Sequence, residues 1–179
     1  QFAEQQGIPY ELCGKVIVAT REEELPALET LEQRAAANGL SGARRLSKAE
    51  IKEIEPHTDG LAGLHVPETG IIDYKQVVDK YAEVISANGG QIRPNARMID
   101  FERASAELVV KTSAGDFKSR YLVNCAGLQS DRVARLCGVR PGLQIVPFRG
   151  EYYKLVPARH GLVRNLIYPV PDARFPFLG

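Results

Sequence analysis

Residues 121–131, Tyr-Leu-Val-Asn-Cys-Ala-Gly-Leu-Gln-Ser-Asp, hold the pattern with the most chemical content in this chain. The apolar run from Tyr121 to Val123 predicts a buried strand that stops in the small residues Cys125, Ala126 and Gly127. A helix is expected next, with Val133, Ala134 and Leu136 along one side. At the carboxyl end of a strand in an α/β fold, small residues let a nucleotide's phosphates approach the backbone. The same composition suits any tightly packed strand-to-helix turn, so the pattern alone leaves both readings open. A nucleophilic thiol at Cys125 is disfavoured: no His or second Cys neighbours it, and a small buried Cys usually packs. Cys13 and Cys137 read the same way.

Further along, Arg149 stands in apolar strand-like sequence and is followed by Gly150, which would let a ring or ligand approach the backbone. Its guanidinium could face a carboxylate or a cofactor, or pair structurally with Glu151 or another acid. Tyr152, Tyr153 and Tyr168 alternate along predicted β-ribbons, where a phenol either donates its hydroxyl to a ligand or packs as core. His57, His65 and His160 have no partner at catalytic or metal spacing, and no metal site is expected.

The bulk properties exclude several classes. At 179 residues, 44% hydrophobic and 25% charged, the chain reads as globular, large enough for one domain or parts of two. A net charge of +1 gives no electrostatic case for nucleic acid or an anionic membrane surface. No apolar run approaches the roughly 20 residues that span a bilayer. Three cysteines at 13, 125 and 137 form no close ligand spacing, and their odd number argues against a disulfide framework. A reducing cytoplasm fits. Gln1 and the abrupt Phe175-Pro-Phe-Leu-Gly179 ending give the expectation of an internal piece of a longer protein.

The elements that would position these residues alternate. Gly14 to Thr20 is β-branched and apolar, a strand; residues 22–38 predict a helix with Leu25, Leu28, Leu31 and Ala35 on one face. Ser47-Lys-Ala-Glu50 fits a capping box before a short helix that Pro56 closes, and Gly60 to Val66 predicts a strand. Asp73 caps a helix over 73–88, ended by Asn88-Gly89-Gly90. Strands are expected near 91–93, 97–103, 107–112 and 120–124, then a helix over 130–137 and long strands at 145–156 and 162–170. The class is α/β, or mixed α+β. No Gly-x-Gly-x-x-Gly occurs, so a dinucleotide's pyrophosphate motif would have to lie upstream of Gln1.

The succession Gly70-Ile-Ile-Asp73-Tyr, a helix, Asn88-Gly-Gly90, Asn95-Ala-Arg-Met-Ile-Asp100 and Leu122-Val-Asn-Cys-Ala-Gly127 resembles the D-amino-acid oxidase-like superfamily of FAD-dependent oxidoreductases. Val146-Pro-Phe-Arg-Gly-Glu-Tyr-Tyr-Lys-Leu155, Ile167-Tyr-Pro-Val-Pro-Asp172 with 175–179, Cys13–Thr20 and Ala35–Gly39 resemble its L-2-hydroxyglutarate oxidase/dehydrogenase branch. The resemblance covers essentially the whole chain; the Pro-Phe-Arg-Gly-Glu-Tyr run is specific to the branch, the Cys-Ala-Gly turn only to the superfamily.

The resemblance implies FAD-dependent oxidation of L-2-hydroxyglutarate to 2-oxoglutarate, the α-hydrogen leaving as hydride to the flavin. It implies part of an FAD-binding Rossmann-like domain over 68–140, interleaved with a helix-flanked β-sheet substrate domain built from 1–67 and 141–179. Met98, where the superfamily usually has Val, would offer its backbone to the adenine, and Cys125, Ala126, Gly127 and Leu128 would pass close to the FAD. Arg149, Tyr152 and Tyr168 would bind the 2-hydroxy-dicarboxylate, for which a planar guanidinium is suited. The catalytic histidine would belong to a part outside this chain, leaving the isolated fragment inactive. Another superfamily oxidase, acting on glycine, sarcosine or glycerol 3-phosphate, and a non-enzymatic α/β binding module are the alternatives. Oxygen and a membrane quinone both stay open as electron acceptor. A quinone would fit peripheral contact of the full-length protein with the inner membrane, although no basic amphipathic helix supports it.

Overall fold

Lys15-Val-Ile-Val-Ala19 is an uninterrupted apolar run after its first residue, which is the sequence of a strand covered on both faces. The computed structural model, which describes residues 1–105, 107–172 and 174, shows why. The chain divides into two compact units: residues 1–81 with 152–179, and residues 82–151 inserted between them. Residues 175–179, part of the branch resemblance, lie outside the described residues.

In the flanking unit a short helix α1 (Phe2–Gln5) leads to β1 (Tyr10–Glu11) and β2 (Lys15–Ala19). A single 3-10 turn over Glu22–Glu24 starts α2 (Leu25–Ala37), followed by β3 (Arg44–Ser47), α3 (Lys48–Ile54), β4 (Ala62–Val66) and β5 (Ile71–Ile72). Helix α4 (Tyr74–Ala87) begins at Asp73, whose carboxylate accepts the Lys75 N–H at 2.9 Å. The main sheet has the order β3-β4-β2-β9, where β9 (Leu166–Pro169) arrives only after the whole inserted unit. Strand β4 runs antiparallel to β2 with Ile17 opposite Leu64, and β9 runs parallel with Val16 opposite Ile167. Strands β1 and β5 form a separate antiparallel pair.

The period-two alternation of β2 sorts its side chains onto two faces. Ala19 joins Leu28 of α2, Leu64, Val66 and Val170 in one buried cluster, with Ile17 against it. Val16 and Val18 join Leu46 and Ile51 of α3 in another, with Ile54 and Ile167 against it. Helix α3 begins as its sequence predicts: the Glu50 N–H donates to Ser47 Oγ at 3.3 Å, and Glu50 Oε2 accepts the Ser47 N–H at 2.8 Å. That reciprocal cap satisfies donors a helix start otherwise leaves bare.

The inserted unit contains an antiparallel meander of β6 (Met98–Ala104), β7 (Glu107–Thr112) and β8 (Gly115–Ser119). It ends with a 3-10 turn over Gly127–Gln129 and α5 (Ser130–Leu136). A third 3-10 stretch, Pro157–Leu162, lies in the flanking unit before β9.

Several expected strands do not form. Residues 91–93 and 120–124 are irregular, with Tyr121 and Val123 exposed rather than buried; 145–156 is irregular too. The long strand expected over 162–170 shrinks to Leu166–Pro169. A β-branched or aromatic run is only ready to pair, and among the described residues no strand pairs with 91–93, 120–124 or 145–156, while 162–170 pairs only where it meets β2. Strand β8, in contrast, is a polar run (Gly-Asp-Phe-Lys-Ser) drawn into the sheet because a tight turn brings it back on β7. Among the described residues no helix is long and apolar enough to cross a membrane.

The two-sided packing of β2 makes a direct prediction. A Cβ at Gly60 would stand 2.2 Å from Val18 Cγ1, whereas one at Gly161 meets nothing within 4 Å. Gly60→Ala should destabilise by about 1–3 kcal/mol through overpacking, and Gly161→Ala by less than about 0.5 kcal/mol. Denaturant titration of the full-length protein checks this; equal midpoints for the two variants would contradict the packing described.

Candidate functional site

The expected cofactor contacts lie at two places in the inserted unit, the start of strand β6 and the turn before α5. Met98 opens β6 opposite Thr112, half-buried, just before a register shift between Met98 and Asp100. Its approach is fixed from the side: the Arg97 N–H donates to Ser113 Oγ at 3.0 Å, the Ser113 N–H returns to Arg97 O at 2.9 Å, and Ser113 Oγ–H donates to Asn95 O at 3.0 Å.

The turn at 124–130 is held by Asn124. Its Oδ1 accepts the Ala126 N–H at 3.2 Å and its Nδ2 donates to Ser130 O at 2.8 Å, so one side chain spans the turn. Gly127 adopts a left-handed φ of 53°, and a Cβ there would meet nothing within 4 Å. Glycine is therefore selected by backbone conformation, and the side of the turn it would otherwise cover stays open. Cys125 is exposed, a correction to the expectation of a buried, packed thiol, because the preceding residues form no strand to cover it. Leu128 is exposed as well. Residues 121–128 contain no charged side chain, so what the turn offers a ligand is backbone and small side chains.

Arg149 is exposed, with its Nε 3.5 Å from Glu151 Oε1. An exposed pair of this kind contributes little and leaves the guanidinium available to a stronger anion. Tyr152, in the flanking unit, is almost fully exposed, and the β-ribbon expected to carry it is absent. Tyr168 is placed differently: it sits within β9 opposite Ile17, half-buried, with Lys15 Nζ 4.8 Å from its ring centroid.

Two features are not apparent from the sequence. Asp131, buried at the start of α5, accepts from Arg135 Nη1 and the Arg132 N–H, both at 2.9 Å, and from the Ile145 backbone. Arg135 Nη2 also donates to Leu143 O at 3.3 Å, so this pair ties α5 to 143–145. Burial pushes the Asp131 carboxyl up, but the Arg135 hydrogen bond and charge, with the backbone donors, outweigh it and hold it below the ordinary value. The i, i+4 spacing of Asp131 and Arg135 was the available signal. Second, a cavity of about 500 Å³ lies at the carboxyl ends of the parallel strands β2 and β9, lined by Arg21, Glu24, Val170, Asp172 and Arg174. Arg174 donates to Asp172 and holds its carboxyl down at about 2, while Arg21 pairs with Glu24 at 2.6 Å.

This geometry can be set beside known proteins. The family model described as FAD dependent oxidoreductase matches residues 1–179, and the chain belongs to that family. An L-2-hydroxyglutarate dehydrogenase from Indibacter alkaliphilus is 48% identical over all of this chain and 45% of its own length. The mitochondrial enzyme of that name from Homo sapiens is 40% identical, over 100% of this chain and 41% of its own length. The chain thus spans under half the length of the curated relatives it matches. Among solved structures, L-proline dehydrogenase from P. horikoshii superposes with a TM-score of 0.76 at 16% identity, over 94% of this chain and 46% of its own. L-alpha-glycerophosphate oxidase from Mycoplasma pneumoniae, solved with FAD bound, gives 0.71 at 24% identity, over 92% and 44%. The mixed α/β architecture with several sheets is shared with these solved FAD-dependent oxidoreductases.

The Asp131 clasp sets a pH dependence. A depressed carboxyl contributes stability that is present above the unfolded value of 3.8 and lost as the pH falls through the folded value. Asp131→Asn should lower the unfolding midpoint of the full-length protein at neutral pH, with the gap to wild type shrinking as the pH drops below 3.8. A gap independent of pH would show that the ion pair is not what holds 143–145.

Proposed function

We propose that the whole protein oxidises L-2-hydroxyglutarate to 2-oxoglutarate with FAD as electron acceptor. The observation that carries this reading is the 48% identity, across the entire chain, to a relative named for that activity. The residues present fit the cofactor: the turn with Gly127 in left-handed conformation is open where a Cβ would stand, and Cys125 and Ala126 beside it are small. In this reading Cys125, Ala126, Gly127 and Leu128 pass along the cofactor and the Met98 backbone meets its adenine. Bound FAD would supply the two-electron acceptor for the substrate C–H bond that breaks.

The chain's own contribution is to hold the substrate. Arg149 binds one carboxylate through its planar fork, exchanging its weak exposed partner Glu151 for a bidentate one. Tyr152 and Tyr168 donate hydroxyls to the dicarboxylate. The division of labour in this reading assigns 68–140 to the FAD-binding part and 1–67 with 141–179 to the substrate part; the compact units, 1–81 with 152–179 and 82–151, share its discontinuous arrangement but not its bounds. Peripheral contact with the inner membrane belongs to this reading if a quinone takes the electrons.

Anaerobic addition of L-2-hydroxyglutarate to the full-length protein should bleach its flavin absorbance, while the D-enantiomer, glycine and glycerol 3-phosphate should not. Bleaching by glycine or glycerol 3-phosphate instead would keep the family and discard this substrate; absence of flavin would favour a binding module. Arg149→Lys should raise KM about tenfold or more, since an ammonium cannot reproduce the bidentate geometry. An unchanged KM would remove Arg149 from the site. The isolated 179-residue chain should be inactive and carry no stoichiometric flavin.

A further inference from the structure

Glu55, which comes directly after the last turn of α3, is fully buried. A carboxylate withdrawn from water is costly unless hydrogen bonds replace its hydration. Here Oε1 accepts the Arg164 N–H at 2.9 Å, the Asn165 N–H, and the Asn165 side-chain amide at 2.9 Å. Oε2 is buried without a hydrogen-bond partner. All three donors belong to residues about 110 positions later, the two that immediately precede β9.

Immediately after Asn165 the main sheet closes. The Leu166 N–H donates to Gly14 O at 3.0 Å, and the parallel register then places Leu166 opposite Lys15, Ile167 opposite Val16 and Tyr168 opposite Ile17. Asn165 is wedged at this entrance: its Oδ1 lies 2.7 Å from where a Cβ on Gly14 would stand. A one-residue slip here would turn Tyr168 to the opposite face of the sheet. The apolar faces of the sheet do not forbid that slip. Pro169, which has no N–H, opposes it at the far end of β9, where the ladder to β2 runs through the N–H of Val170, and Glu55 acts at the entrance.

We propose that Glu55 is a positioning residue of the substrate site: its buried carboxylate fixes the register in which β9 enters the sheet, and so the place of the Tyr168 hydroxyl. This rests on the reading of Tyr168 as a substrate contact. It gives Glu55 a role that stability alone does not, since the consequence of losing it is read at Tyr168.

The test is a double-mutant cycle in the full-length flavoprotein with L-2-hydroxyglutarate as substrate. Tyr168→Phe and Glu55→Ala should each raise KM about tenfold, and the double variant should be no worse than the larger single, with flavin content and visible spectrum unchanged. Glu55→Gln keeps an oxygen that accepts the same three donors and should restore KM to within about twofold of wild type. Because Glu55→Ala can fail to fold, Glu55→Asp, one methylene short of its partners, is run in the same cycle and judged by the same criterion. Multiplying effects of the Glu55 and Tyr168 variants would overturn the proposal while leaving Tyr168 in the site. An unaltered KM for Tyr168→Phe would remove Tyr168 from the site, and the proposal with it.

Discussion

The parallel pairing of β9 with β2 is the constraint on which the rest of this structure depends. It joins residue 167 to residue 16 across the whole inserted unit, so the flanking unit has no complete sheet until nearly all of the chain is in place. The entropic cost of closing so long a loop grows only slowly with its length, and an insertion of residues 82–151 is therefore tolerated. What must be supplied is specificity of register. The two apolar clusters on either face of β2 provide affinity between layers but not register, because each would accept a Val, Ile or Leu shifted along the strand. The polar anchors at the strand entrance, Glu55 on Arg164 and Asn165, provide what the apolar contacts do not.

The parts of the fold that could be read from the sequence are those whose signal is local. Strand β2, helix α2, the Ser47–Glu50 capping box and helix α4 each carry a local pattern of apolar residues or caps, and β6 and β7 show as strand-like runs of their own. The failures are of one kind. Tyr121–Val123 and 145–156 have strand composition, but a strand exists only where another offers its backbone groups, and composition does not report that neighbour. Strand β8 is the converse case, a polar run of five residues made into a strand by its neighbour β7.

For the candidate site the same distinction holds. The small-residue turn was legible because Cys125, Ala126 and Gly127 follow an apolar run and precede helical spacing; that Gly127 takes a left-handed φ is visible only in the structure. Arg149 was legible as a residue that could either bind an anion or pair with Glu151, and the geometry supplies the pair without making it strong. Asp131 and Glu55 were missed because their importance is burial, which one sequence does not display. Glu55 did leave a trace: an acid at the carboxyl end of a helix faces the negative end of its dipole, an arrangement that calls for compensation from elsewhere.

The two units also differ in what they require. Every buried apolar residue among those described lies in the flanking unit, from Ile8 to Val170. The inserted unit leaves Val84, Ile85, Tyr121, Val123, Leu128 and Phe148 exposed, and its buried side chain is the acid Asp131. The flanking unit can thus set the place of Tyr168 from its own core and its Glu55 anchor. The turn at 124–130 has instead the Asn124 side chain as its support, through Ala126 and Ser130. The asymmetry is one of means: an apolar core on both faces of β2 fixes β9, whereas side-chain hydrogen bonds within a single turn fix 124–130.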